Sequence, residues 1–142
     1  MKKQTLAIHT AYPSKDAYGA LSMPVYHAAA YEFDNAADMA DAFCGRVTAP
    51  DYSRVMNPTV MNLENRVKAL TGAQAVVALN SGMAAISNTL LALASAGKNI
   101  VSSRHMFGNT YSLITETLPR FGVESHACDL TDLSQVEKAV DE

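Results

Sequence analysis

The sequence predicts an α/β protein with a mainly parallel sheet, and three observations carry that expectation. Apolar, β-branched runs of strand length (residues 74–79, 99–103 and 123–127) alternate with helix-length patterns through the second half of the chain. One of these runs, Ala75-Val76-Val77-Ala78-Leu79, stops at Asn80-Ser81-Gly82, and a long apolar helical pattern follows at once from Met83. Ahead of them, residues 1–34 show no sustained period, with Tyr12-Pro13, Tyr18-Gly19, Met23-Pro24 and Tyr26 scattered through them. That segment is expected to be an extended arm with short helices near it. An arm so rich in Tyr and apolar residues should lie against something rather than in water.

Composition bounds the class. With 142 residues, 49% of them hydrophobic and 18% charged, the chain can bury a core and is not expected to be disordered. A net charge of −3 gives no reason to expect nucleic acid or an anionic membrane surface as partner. Cys44 and Cys128 stand in no metal-ligand or redox spacing and suit idle thiols in a reducing compartment. No apolar run reaches bilayer-spanning length, and no signal-peptide segment follows Met1-Lys2-Lys3-Gln4-Thr5. The expected location is the cytoplasm.

The elements follow in order. A short helix is expected over residues 36–43, capped by Asp34 or Asn35 and ended by Gly45. Residues 46–56 are irregular, with a turn at Ala49-Pro50-Asp51. Asn57 then suits a cap and Pro58 the first helical position, where a missing N–H costs nothing. Val60, Leu63, Val67 and Leu70 share one face of that helix, and Gly72 ends it. A strand over 74–79 leads to a helix over 82–95, stopped by Gly97. A strand over 99–103 leads through the loop at His105 to Asn109 into a helix over 110–120, and a third strand over 123–127 into a helix from Thr131 or Asp132 to the end. Glu142 falls inside a helical pattern, and three parallel strands with no closing edge make a poor independent sheet. The chain is therefore expected to be the front of a longer one, or a piece that leans on a partner.

The strand–turn–helix junction carries chemistry. Ser81 stands where a helix cap belongs, and Gly82 where a side chain would crowd anything docked on the turn. The first N–H groups of such a helix have no partner inside it and sit at the positive end of its dipole, which suits a phosphate.

Six motifs occur in order along the chain. They are Thr5-Leu6-Ala7-Ile8-His9, Pro24-Val25-Tyr26, Tyr52-Ser53-Arg54-Val55-Met56-Asn57-Pro58-Thr59, Leu63-Glu64, Ser81-Gly82-Met83-Ala84-Ala85 and Phe107-Gly108-Asn109-Thr110. Together they resemble the Cys/Met-metabolism family of pyridoxal 5'-phosphate (PLP) enzymes, which holds cystathionine synthases and lyases, methionine γ-lyase and the homoserine-ester sulfhydrylases. The resemblance implies a fold-type I, aspartate-aminotransferase-like PLP-binding domain, of which residues 59–142 would be an incomplete part. It implies that residues 1–58 form an arm contributing to a neighbouring subunit's site. PLP is the implied cofactor. Its phosphate would be held by the turn at Ser81, Gly82 and Met83, with Tyr52 and Arg54 reaching it from the neighbouring subunit. The implied assembly is a dimer of shared sites within a homotetramer.

Phe107 falls where many members of the family carry a tyrosine that stacks on the pyridine ring. A phenylalanine keeps the flat face and loses the phenol. That tilts the expectation towards an O-acetylhomoserine sulfhydrylase, taking O-acetyl-L-homoserine with sulfide or a thiol to homocysteine or methionine. Methionine or cystathionine γ-lyase and γ-synthase are the alternatives within the family. A truncated, non-catalytic interaction or phosphate-binding module is the alternative outside it.

The resemblance puts the Schiff-base lysine, and the aspartate that pairs with the pyridine nitrogen, beyond residue 142. The lysines at 2, 3, 15, 68, 98 and 138 match no such motif, so no catalytic residue is expected in this segment, and alone it should be inactive. His9, His27, His105 and His126 lack metal-ligand spacing. No Gly-x-Ser-x-Gly elbow, dinucleotide loop or P-loop occurs. The acidic residues from Glu116 to Glu142 suit caps and solvated helix faces.

Overall fold

The computed structural model describes residues 2–10 and 18–141; Tyr12, Pro13, Lys15 and Glu142 of the sequence reading lie outside them. The chain parts into two units, Met1–Ala78 and Leu79–Glu142.

The first unit opens with a helix that residue periodicity did not reveal, α1 (Lys3–His9). Seven residues are too few to hold a helix in water by propensity, so its stability comes from packing. It lies against the helix from Pro58, whose Arg66 donates from its guanidinium to the carbonyls of Ala7 (2.8 Å) and Ile8 (3.3 Å). That places a cation at the negative end of the α1 dipole. Helix α2 (Ala36–Phe43) has the expected bounds, and Asn35 is its cap, accepting from the Asp38 N–H at 2.9 Å. Helix α3 (Pro58–Thr71) begins as expected at Asn57, whose Oδ1 accepts from the N–H groups of Thr59 (2.9 Å) and Val60 (3.4 Å). It ends at Gly72, which turns the chain in the left-handed region at φ 74°.

The strand expected over residues 74–79 does not form. The apolar pattern asks for an extended, buried segment, but a strand also needs a partner's ladder, and among the described residues none pairs with this run. Its Ala78 N–H goes instead to the Glu64 carboxylate on α3 at 2.8 Å.

The second unit begins with α4 (Gly82–Leu93), two residues shorter than expected because Ala94 is already extended at φ −108° and ψ 140°. Strand β1 (Asn99–Ser103) has the expected bounds. The helix expected over 110–120 starts earlier and changes pitch. Regular α5 (Gly108–Ser112) passes into a π-helical turn at Leu113–Thr117 and a 3₁₀ turn at Leu118–Phe121. Pro119 accounts for the change, because it has no N–H for the carbonyl four residues back and its ring would crowd that carbonyl. Leu118 donates to the Leu113 carbonyl, the five-residue reach of a π turn. Gly122 then reverses the chain at φ 78°, and a Cβ there would meet Ala96 Cβ at 3.2 Å, so both space and backbone call for glycine.

Strand β2 (Glu124–Cys128) is displaced by one residue from the expected 123–127. It pairs with β1 in parallel, Asn99 opposite Glu124 through Ser103 opposite Cys128. The sheet thus has two strands among the described residues where three were expected. Its core is Leu118 (2% exposed), Val123 (4%) and Ile114 (5%), with Leu90, Ala94, Ile100, Met106 and Leu113 around them. The irregular turn after α5 supplies two of those three buried side chains.

Helix α6 (Leu133–Asp141) follows a pair of capping carboxylates. Asp129 accepts from the hydroxyl (2.7 Å) and N–H (2.9 Å) of Thr131, and Asp132 from the hydroxyl (2.7 Å) and N–H (3.0 Å) of Ser134 and the Gln135 amide (2.9 Å). These bonds, foremost those from the Thr131 and Ser134 hydroxyls, hold both carboxyls below their ordinary value of 3.8. A pKa lowered by folding means that the contribution is present above the unfolded value and is lost as pH falls through the folded one. Carboxyl NMR titration should give midpoints below 3.8 for Asp129 and Asp132, with protection of the first turn of α6 fading at the same low pH. Ordinary midpoints for both would refute the capping account.

Candidate functional site

In the first unit, the loop that carries Tyr52 and Arg54 is stitched to residues 26–31. An isolated antiparallel bridge pairs Ala30 with Tyr52. The Tyr31 N–H donates to the Asp51 carbonyl (3.2 Å), and the Ser53 N–H to the Ala29 carbonyl (2.9 Å). The Ser53 hydroxyl donates to the Ala28 carbonyl and lies 3.0 Å from the Tyr31 hydroxyl. Asn57 joins this set through Nδ2, which reaches Ser53 Oγ (2.9 Å), the Tyr26 carbonyl (3.0 Å) and the Tyr31 hydroxyl (3.3 Å). Thr59 accepts the Tyr26 N–H at 2.9 Å.

With Ser53 held inward, its neighbours are left outside. Tyr52 is 41% exposed, and the Arg54 guanidinium carbon stands 5.3 Å from its ring centroid. That cation–π contact gives the fork of donors a direction, next to a phenol that can also donate. Among the described residues no carboxylate forms a salt bridge with Arg54. The pair can therefore offer charge and several donors to an external anion. Tyr52 and Arg54 are legible in the Tyr-Ser-Arg motif and Asn57 as a cap, whereas the ties made by Ser53, Thr59 and the Asn57 amide are not. Their signal was present as Ser53, Asn57 and Thr59 within one short stretch, but their partners lie 22 to 33 residues away.

In the second unit, Ser81 is the cap of α4, with extended backbone at φ −158° and ψ 160°, and its Oγ accepts from the Ala84 N–H at 3.1 Å. The cap thus takes the third N–H of the helix. The first two, on Gly82 and Met83, have no acceptor among the described residues. Gly82 is not in the left-handed region, and a Cβ there would meet nothing within 4 Å. The fold itself does not need a glycine at Gly82, whereas a group docking on those two N–H donors would.

Met83 Sδ accepts from the Thr110 hydroxyl at 3.6 Å, so the first turns of α4 and α5 meet. Phe107 is the residue before α5, and it is 77% exposed. The Ser81 turn and Phe107 therefore stand at matching ends of two helices in contact. One offers unpaired N–H groups at a positive dipole end, the other a bare aromatic face for a flat ring. The chain's own residues thus fit a phosphorylated aromatic group at two points of this unit. Among the described residues no cluster of His, Cys, Asp or Glu is placed to hold a metal ion, and no helix is long and apolar enough to cross a membrane.

These features define an α/β protein with an anion-accepting helix turn beside an open aromatic face. A solved structure provisionally assigned as an O-acetylhomoserine (thiol)-lyase from Campylobacter jejuni, containing N'-pyridoxyl-lysine-5'-monophosphate, matches with a TM-score of 0.90 and 36% identity, over 97% of this chain and 34% of that one. The family described as Cys/Met metabolism PLP-dependent enzyme matches residues 4–142, and the chain belongs to that family. An L-methionine gamma-lyase from Fusobacterium nucleatum is 38% identical over 143 residues, covering 99% of this chain and 36% of the relative. An O-acetyl-L-homoserine sulfhydrylase from Corynebacterium glutamicum is 39% identical over 121 residues, 85% of this chain and 28% of the relative. The chain therefore spans roughly a third of the length of these relatives.

Proposed function

We propose that the chain is the N-terminal part of a PLP-dependent sulfur amino-acid enzyme, an O-acetylhomoserine sulfhydrylase that replaces the γ-acetoxy group by sulfide or a thiol. Residues 1–58 act as the arm and 59–142 as the first part of the PLP-binding domain. PLP, when bound, supplies the electron sink for carbanion chemistry. The protein binds and orients it. The N–H groups of Gly82 and Met83 at the Ser81 turn take the phosphate, the exposed face of Phe107 stacks on the ring, and Tyr52 and Arg54 serve the phosphate of a neighbouring subunit. The assembly is at least a dimer, built into a homotetramer, and works in the cytoplasm.

The observation that carries the sulfhydrylase reading is Phe107, an open aromatic face with no phenol to move a proton near the leaving group. The similarity to an L-methionine gamma-lyase favours elimination as the second reading. The test uses the protein expressed from its complete gene and loaded with PLP, offered O-acetyl-L-homoserine with sulfide, or methionine alone. Homocysteine and acetate should form faster than 2-oxobutyrate is released from methionine, by on the order of tenfold or more. The reverse order would make it a methionine γ-lyase. Failure to retain PLP, with no turnover of either substrate, would leave a non-catalytic interaction or phosphate-binding module.

A further inference from the structure

We infer that Asn57 is a positioning residue for the Tyr52–Arg54 pair, acting through Ser53. The inference rests on the reading that this pair takes a phosphate.

The Asn57 side chain does more than its helix requires. An N-cap needs an acceptor, and Asn57 Oδ1 supplies it to Thr59 and Val60. Asp or Ser would cap α3 equally well. Neither would bring the amide Nδ2, which stands within hydrogen-bond reach of three oxygens, on Ser53, Tyr26 and Tyr31. Two hydrogens divided among three acceptors mean that the amide is fully engaged. It works there as a tie between the start of α3 and the stretch at residues 26–31.

Ser53 is the point where that tie meets the candidate site. Its hydroxyl receives the Asn57 amide, touches the Tyr31 hydroxyl and donates to the Ala28 carbonyl, while its N–H is held by Ala29. A residue held at both backbone and side chain cannot rotate freely. Its neighbours on each side, Tyr52 and Arg54, are therefore presented outward together, one over the other at 5.3 Å. An arginine fork gains most when its direction is set before the anion arrives, because less freedom is then lost on binding.

The test compares PLP with pyridoxal, which lacks the phosphate, as ligands of the protein expressed from its complete gene. Asn57→Asp keeps the cap acceptor and removes both amide donors. Ser53→Ala removes the middle link, and Ser53→Thr keeps the hydroxyl. Asn57→Asp and Ser53→Ala should each weaken PLP binding by about tenfold, with pyridoxal binding within about twofold of the parent and Ser53→Thr close to it. Equal weakening of both ligands, or of neither, overturns the inference. Should Asn57→Asp fold poorly, the contrast between Ser53→Ala and Ser53→Thr decides alone. Arg54→Ala separates the two levels of the argument. If it leaves PLP binding unchanged, the phosphate reading has failed. If it weakens PLP binding while Asn57→Asp and Ser53→Ala do not, only the positioning role has failed.

Discussion

Arg54→Ala should lower PLP affinity by between about tenfold and a hundredfold, the range expected when one charge-assisted donor set is removed from a phosphate. The fold should not suffer, because the interaction that Arg54 makes within the described residues is the stack on the exposed Tyr52 ring. Arg54→Lys should fall between parent and alanine, since it keeps the charge and loses the fork. The measurement is PLP retained after dialysis, read by its absorbance, alongside thermal melting of parent and variant both freed of PLP. Normal retention in Arg54→Ala would remove Arg54 from the phosphate site.

The second large effect is expected at Gly82, where stability and cofactor binding should move in opposite directions. Alanine is a better helix residue than glycine by roughly 0.5–1 kcal/mol in a helix interior and somewhat less at the first position. The structure leaves open space for the added methyl group. Without PLP, whose binding would itself raise the melting temperature, Gly82→Ala should therefore melt at the same temperature as the parent or slightly above it. A group seated on the N–H donors of Gly82 and Met83 would meet that methyl, and PLP should bind more weakly, by on the order of tenfold. Gly82→Val should bind it more weakly still. If Gly82→Val holds PLP as the parent does, nothing docks on that turn.

The helix starts were legible because their causes are local. Asn35, Asn57 and Ser81 each accept an N–H two or three residues ahead, so the sequence alone marks where α2, α3 and α4 begin. Gly45 and Gly72 mark ends for a similar reason, since a left-handed turn is cheap only for glycine. Helix α1 was not legible: its seven residues are held by Arg66, nearly sixty positions away. The pitch change after α5 could have been seen, because Pro119 sits inside the expected helix.

The candidate site divides along the same line. Ser81, Gly82 and Met83 form a cap motif that the sequence spells out in consecutive residues, and Phe107 stands visibly before a helix start. The family, too, was recognisable from motif order, and residues 4–142 match it. By itself, then, the sequence determined the caps of α2, α3 and α4, the alternation of β1 and β2 with their helices, and the family, because each rests on residues close together or on motifs in order. The tertiary structure alone decided that 74–79 carries no ladder among the described residues while β1 and β2 pair, and that Tyr52 and Arg54 face outward as a stacked pair. The physical reason is that a strand is made by its partner's hydrogen bonds. In the same way, an exposed side chain is aimed by contacts such as Ser53 with Tyr31 and Asn57 with Tyr26, which close only when distant residues meet.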